Sequence, residues 1–161
     1  MKKSKIIIIS IALLVLISGC AQEPQQNKTE KKDYSVDIPR EWTGVSISDN
    51  KVFRISENSY IKLAVEDRKD SLEKLLESAT SEYGDFGDLN QTGKGDTTLS
   101  GQQAKYNIIE FIITGSTKLN VKTIVAVKGE KSYIIKYVAP EGEFDKHLSE
   151  VDKVIAGFKI G

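Results

Sequence analysis

The stretch AKYNIIEFIITGSTKLNVKTIVAVKGEKSYIIKYVA, residues 104–139, decides the fold. It holds three runs, 104–114, 118–128 and 132–139, rich in Ile, Val, Tyr and Thr, residues that fit a pleated, partly buried surface. Gly115 and Gly129 separate the runs. Parallel strands need a crossover of a dozen or more residues, and these gaps are far shorter. Each run must therefore turn back and pair with its predecessor, which predicts an antiparallel meander. Gly101 marks a further turn, through which a more polar strand over 88–99 joins the same sheet.

Working outward, Asp70-Ser71-Leu72-Glu73 opens a helix in which Leu72, Leu75, Leu76, Ala79 and Tyr83 recur at helical spacing, with Gly84 as the stop. One face is apolar, so it covers a sheet. Upstream, 51–57 and 59–67 read as two strands joined tightly through Asn58. Tyr34, Val36 and Ile38 alternate with Ser35 and Asp37 in an earlier strand that Pro39 ends. Trp42 follows it and reads as a core plug rather than a ligand platform. A last helix over 142–157 gathers Phe144, Leu148, Val151, Val154 and Ile155 on one side, and Phe158 and Ile160 close the chain. The fold class is α+β, an antiparallel sheet of six to seven strands flanked by helices.

The N-terminus is organised differently. Lys2, Lys3 and Lys5 precede a stretch over 6–17 that is apolar except for Ser10, and Ser18-Gly19 then lead into Cys20, the only cysteine. About a dozen apolar residues fall short of the roughly 20 that span a bilayer. Residues 1–19 therefore read as a lipoprotein signal peptide cleaved before Cys20, whose thiol carries a diacylglycerol-type anchor. An ordinary signal peptide with a chance cysteine is the plainer alternative. Residues 20–33 contain no large apolar side chain ahead of Tyr34 and read as a flexible tether, leaving 34–161 as one folded domain. The expected location is the cell membrane, lipid-anchored on the extracytoplasmic face.

Cleavage leaves 20 basic against 23 acidic side chains, interspersed along the chain. Without a basic field there is no means of releasing counterions from phosphates, so nucleic acid is excluded as a partner. Catalysis has little to stand on. The one cysteine is committed to the anchor, the one histidine, His147, has no recognisable partner, and no Gly-x-Ser-x-Gly elbow is present. The expectation is no enzyme, no catalytic residue and no cofactor.

Glu141, Glu143, Asp145 and His147 are the best candidate metal ligands, but a helix spreads that spacing around its circumference, and a solvated first turn explains the carboxylates. Asp85 and Asp88 lack a twelve-residue calcium-loop pattern. No metal site is assigned. Gly93-Lys94-Gly95-Asp96 has neither the spacing nor the Ser or Thr of a phosphate loop and reads as a turn. Asn27-Lys28-Thr29 and Asn90-Gln91-Thr92 are glycosylation-type triplets that are frequent by chance.

One resemblance gathers these features. Tyr34-Ser35-Val36-Asp37-Ile38-Pro39-Arg40-Glu41-Trp42 resembles the opening of PsbP-type domains, where an aromatic-started strand runs into a proline and a tryptophan. The order of Gly101 to Tyr106, Gly129 and Tyr133, Ala139-Pro140, the helix with Phe144 and the terminal Phe158 resembles the end of that family. The resemblance implies a PsbP-like α/β/α sandwich, generally non-enzymatic, in a family of extrinsic photosystem subunits and lipid-anchored microbial proteins. Metal association has been attributed to plant members, but no ligand set matches position by position here. The photosynthetic role is not carried over, because fold alone does not carry function. The functional expectation is a lipid-anchored surface protein whose domain binds or stabilises a membrane-associated protein partner. The alternative is a small-molecule or metal-ion binding lipoprotein, with the ligand between sheet and helix or at the acidic turn near Glu141. Oligomeric state is left open.

Overall fold

A computed structural model of the chain describes residues 27–31, 33–47, 50–68, 70–113 and 117–161. In chain order the elements are β1 (Asn27–Lys31), β2 (Tyr34–Ile38), β3 (Thr43–Ile47), β4 (Asn50–Arg54), β5 (Tyr60–Glu66), α1 (Leu72–Ser81), β6 (Asn90–Leu99), β7 (Gln102–Ile113), β8 (Thr117–Lys128), β9 (Lys131–Pro140), α2 (Glu141–Gly157) and β10 (Lys159–Ile160). A 3-10 turn at Gly84–Phe86 follows α1. Seven strands form one antiparallel sheet in the order β3-β4-β5-β9-β8-β7-β6, and β1, β2 and β10 form a second, small one.

The meander expected from residues 88–139 is present as β6 through β9, each strand antiparallel to the next. Ser100 and Gly101 occupy the tight turn between β6 and β7 with φ of 52° and 75°, the left-handed conformation a two-residue hairpin requires. The β4–β5 hairpin also forms, and β5 crosses to lie antiparallel beside β9, placing Ile61 opposite Tyr137 and Leu63 opposite Ile135. This one non-local pairing joins the two halves of the sheet.

α1 starts where Ser71, in extended conformation, accepts a hydrogen bond from the Lys74 backbone N–H at 3.3 Å. Leu75, Leu76 and Ala79 are its buried face, and each buried leucine stabilises by about 2 kcal/mol. The helix ends at Ser81, before the expected Gly84, and the turn Gly84–Phe86 intervenes. α2 begins directly after Pro140, whose φ of −59° is already helical while ψ of 151° is not. Glu141 and Glu143 sit in its first turn, where the helix dipole favours negative charge.

Four expectations need correction. Residues 27–31, expected within a flexible tether, pair along β2 as β1; an edge strand is held by backbone hydrogen bonds and needs no large apolar side chain. β2 belongs to the small sheet rather than the main one, where it lies between β1 and β10. β3 was not expected at all: Val45 and Ile47 are its only large apolar residues, and all five positions are exposed. Residues 93–96 are not a turn but the middle of β6. Gly93 and Gly95 lie opposite Ile108 and Tyr106, and a Cβ on Gly95 would come within 2.9 Å of the Tyr106 ring, so the strand needs glycine there.

The two faces of the large sheet are covered differently. α2 and the small sheet cover one, closing a continuous core in which Tyr34 stacks on Phe158 at 5.2 Å and Tyr137 on Phe144 at 4.9 Å. Trp42, 3% exposed, plugs this core as expected. α1 covers the other face, where the apolar packing falls into two separate clusters. One holds Ala64, Leu75, Leu76, Ala79, Val125 and Ile134, and the other Tyr83, Ile109, Phe111, Val121 and Val138.

Candidate functional site: a polar row beneath the first helix

The gap between those two clusters is a row of polar residues. Asn107 on β7 lies opposite Thr123 on β8, Thr123 opposite Lys136 on β9, and Lys136 opposite Lys62 on β5. Side chains two apart on a strand share a face. Thr123 is flanked on its face by Val121 and Val125, and Lys136 by Ile134 and Val138, so the row runs through apolar surroundings under the C-terminal half of α1.

Lys136 is 3% exposed. Its ammonium donates to the Ala79 carbonyl at 2.6 Å and to Glu82 Oε1 at 2.7 Å, and lies 5.3 Å from the centre of the Tyr83 ring. A cation bound to a carbonyl in the last turn of α1 satisfies a group that the helix leaves without an internal partner. Burial pushes the Lys136 ammonium below the ordinary lysine value; hydrogen bonding to Glu82 opposes that shift, and the neighbouring Lys62 adds to it. Burial similarly drives the Tyr83 phenol far above its ordinary value, with Glu82 adding to the shift.

At the other end of the row, Asn107 Nδ2 donates to Thr80 Oγ1 at 2.7 Å, and Thr80 donates in turn to the Leu76 carbonyl at 2.6 Å. Among the described residues Asn107 Oδ1 and Thr123 Oγ1 are buried without a hydrogen-bond partner, which costs roughly 1–3 kcal/mol for each such group. Thus the α1 face is built with polar groups it only partly satisfies.

Openings flank α1 on both sides. A cavity of about 150 Å³ lies between α1 and strands β4, β5 and β9, lined by Lys62, Lys136, Glu66, Arg68, Glu82 and Asn50 among others. A wider groove of about 420 Å³ lies between α1 and β6–β7, where Lys94, Lys105, Asn107 and Thr80 meet Leu76 and Leu89. Lys105 bridges Glu73 of α1 at 3.2 Å and Asp96 of β6 at 2.7 Å across it.

The residues singled out by sequence are elsewhere. Cys20 and the leader 1–19 lie outside the described residues. Glu141 pairs with Lys118 at 3.2 Å. Glu143 Oε2 accepts from Ser56 Oγ at 2.5 Å and Ser59 Oγ at 2.6 Å, bonds that hold its carboxyl below the ordinary glutamate value. The acidic turn is thus engaged in fastening α2 to the β4–β5 hairpin. Among the described residues no group of three or more His, Cys, Asp or Glu is arranged to hold a metal ion. Nor is any described helix long and apolar enough to cross a membrane. Lys62, Asn107, Thr123 and Lys136 escaped the sequence reading. The available signal was Lys136 in SYIIKYVA, a lysine flanked two residues away on each side by Ile134 and Val138.

Comparison of the sequence with family models and with curated proteins gives no match. Solved structures do match. The solution structure of cyanobacterial PsbP (CyanoP) from Synechocystis sp. PCC 6803 superposes with a TM-score of 0.64 at 13% identity, covering 89% of this chain and 96% of that one. The fold is PsbP-like. Two further structures share it. LpqN of Mycobacterium tuberculosis, involved in cell envelope biogenesis, gives a TM-score of 0.55 at 15% identity over 84% of this chain and 90% of its own. The Ran-binding protein Mog1p of Saccharomyces cerevisiae gives 0.59 at 9% identity over 84% and 96%. The PsbP-like domain has the α+β architecture expected from the strand and helix pattern, a seven-stranded antiparallel sheet between two helical layers.

Proposed function

We propose that this chain is a lipid-anchored, non-enzymatic protein of the extracytoplasmic membrane face whose PsbP-like domain binds a membrane-associated protein partner along β3. The leader ending at Cys20 supports the anchor, since two acyl chains give stable attachment where one gives marginal binding. Among structures of this fold, one is involved in cell envelope biogenesis and another is Ran-binding, which fits a surface protein that works by association.

The observation that carries the reading is the contrast between the two edges of the large sheet. β6, at one edge, carries Lys94 and Asp96 and a register shift between Gln91 and Gly93. Charges and bulges of this kind discourage another strand from adding on. β3, at the other, has no charged residue, and Val45 and Ile47 are 59% and 58% exposed. An extended segment of a partner would complete its backbone hydrogen bonds and cover both side chains.

The test is a photo-crosslinking residue placed at Val45 or, as control, at Thr92 on β6, in the full-length protein in its native membrane. The expected result is one recurrent membrane-protein adduct from position 45 alone, lost in an Ile47→Lys background. Equal labelling from both edges, or none from position 45, contradicts the proposal. Intact mass of the extracted protein beside Cys20→Ser checks the anchor separately, the expected form being a chain that starts at Cys20 with a lipid adduct.

A further inference from the structure

We propose that the cavity between α1 and strands β4, β5 and β9 binds a small carboxylate, held by Lys62 in front of the buried Lys136. The edge-strand reading is independent of this one, because neither Val45 nor Ile47 lines the cavity.

The first support is an arrangement that is unfavourable without a ligand. Lys62 and Lys136 are direct cross-strand partners on the α1 face, and like charges directly opposite on a sheet repel. Lys136 is provided for by Ala79 and Glu82. Lys62 forms no ion pair or hydrogen bond among the described residues, although it lines the same cavity.

Charge selects the class of ligand. Lys62, Arg68 and Lys136 face the cavity together with Glu66 and Glu82, and Asp70, outside the lining, pairs with Arg68. Arg68 is engaged by Asp70 and, at 4.0 Å, by Glu66, and Lys136 by Glu82, so Lys62 is the cation facing the cavity that has no carboxylate at ion-pair distance among the described residues. A monoanionic carboxylate balances it. A phosphate dianion would leave surplus negative charge beside Glu66 and Glu82, and a cation would face two lysines.

Size and lining set the remainder. A cavity of about 150 Å³ is of the size that takes up benzene when lined by apolar groups, so a ligand of about six heavy atoms fits. Ala64, Leu75 and Ile134 give it an apolar wall for a short hydrocarbon tail, and Asn50 adds a neutral polar group to the lining. Butyrate has that shape and charge.

The full-length protein in detergent is melted in sodium butyrate, sodium phosphate and sodium chloride at equal ionic strength, beside Lys62→Met and Lys62→Gln. Butyrate at tenfold its dissociation constant should raise the Tm of the parent protein by at least about 4 °C over chloride, and phosphate should not. In chloride both variants should melt no lower than the parent, since the repulsion at Lys136 is gone, and neither should respond to butyrate. A second readout is amide chemical shifts, where butyrate should move Ala64 and Lys136 but not Ser149. Butyrate acting like chloride, phosphate matching butyrate, or variants that keep the response would each overturn the assignment.

Discussion

The α2 face and the α1 face of the same sheet solve different problems. On the α2 side, strands β5, β8 and β9 contribute Ile61, Leu63, Ile124, Tyr133, Ile135 and Tyr137 to one core with the small sheet and α2. On the α1 side the same strands contribute Lys62, Thr123 and Lys136 between two apolar clusters, and openings lie along both flanks of the helix. Uninterrupted apolar burial stabilises most per unit area, whereas buried polar groups stabilise only when fully satisfied. The difference teaches that one layer holds the domain together while the other keeps a polar, only partly satisfied interior beneath α1.

The largest expected effect breaks the stable side. Phe158→Ala removes a ring that packs on Tyr34 and edge-on against Tyr133, and should cost about 3–5 kcal/mol in denaturant unfolding. A loss below about 1 kcal/mol would mean the α2 core tolerates a cavity and the contrast between faces is weak.

Lys136→Met should cost less, about 1–3 kcal/mol, because it leaves the Ala79 carbonyl without its donor but also relieves the repulsion with Lys62. Combining it with Lys62→Met should recover none of the loss if the helix-end contact is the cause. A Lys136→Met variant as stable as the parent or more so would show that charge, not the α1 terminus, governs the row.

A subtler distinction concerns alkali. Burial pushes the Tyr34 phenol up to about 12, and Tyr137, Tyr133, Tyr83 and Tyr60 are raised by the same cause. Groups whose folded value exceeds the unfolded value near 10 contribute stability that is complete below that pH and is lost as pH rises through the folded value. Unfolding free energy should therefore fall steeply above about pH 10. Tyr34→Phe should flatten that fall while changing stability at pH 7 by less than about 1 kcal/mol, since the Tyr34 hydroxyl is buried without a partner among the described residues. An unchanged alkaline slope in the variant would contradict the burial account.

What could be read from the chain follows the same division. β7, β8 and β9 were legible because Ile, Val and Tyr alternate between short turns, and α1 because Ser71 caps a run of leucines at helical spacing. These are local signals. β3 was not legible because Val45 and Ile47 point away from any core, and β1 because its stability lies in backbone pairing with β2. Gly93 and Gly95 looked like turn residues, when their reason lies on the neighbouring strand in Ile108 and Tyr106. The polar row was hidden more deeply. Lys62 and Lys136 become neighbours only through the β5–β9 pairing, a contact between distant segments that alternation within either strand cannot specify. The carboxylates near Glu141 drew notice as a sequence cluster, yet the fold assigns Glu143 to Ser56 and Ser59 and Glu141 to Lys118.

Native-state hydrogen exchange of the full-length protein tests the division of labour most directly, by comparing amides of Leu75 to Ala79 in α1 with those of Val151 to Val154 in α2. The account predicts that α1 opens in a sub-global step of lower free energy, by about 2 kcal/mol or more, while α2 exchanges only when the whole domain unfolds. Equal protection of the two helices, both at the global value, would contradict it.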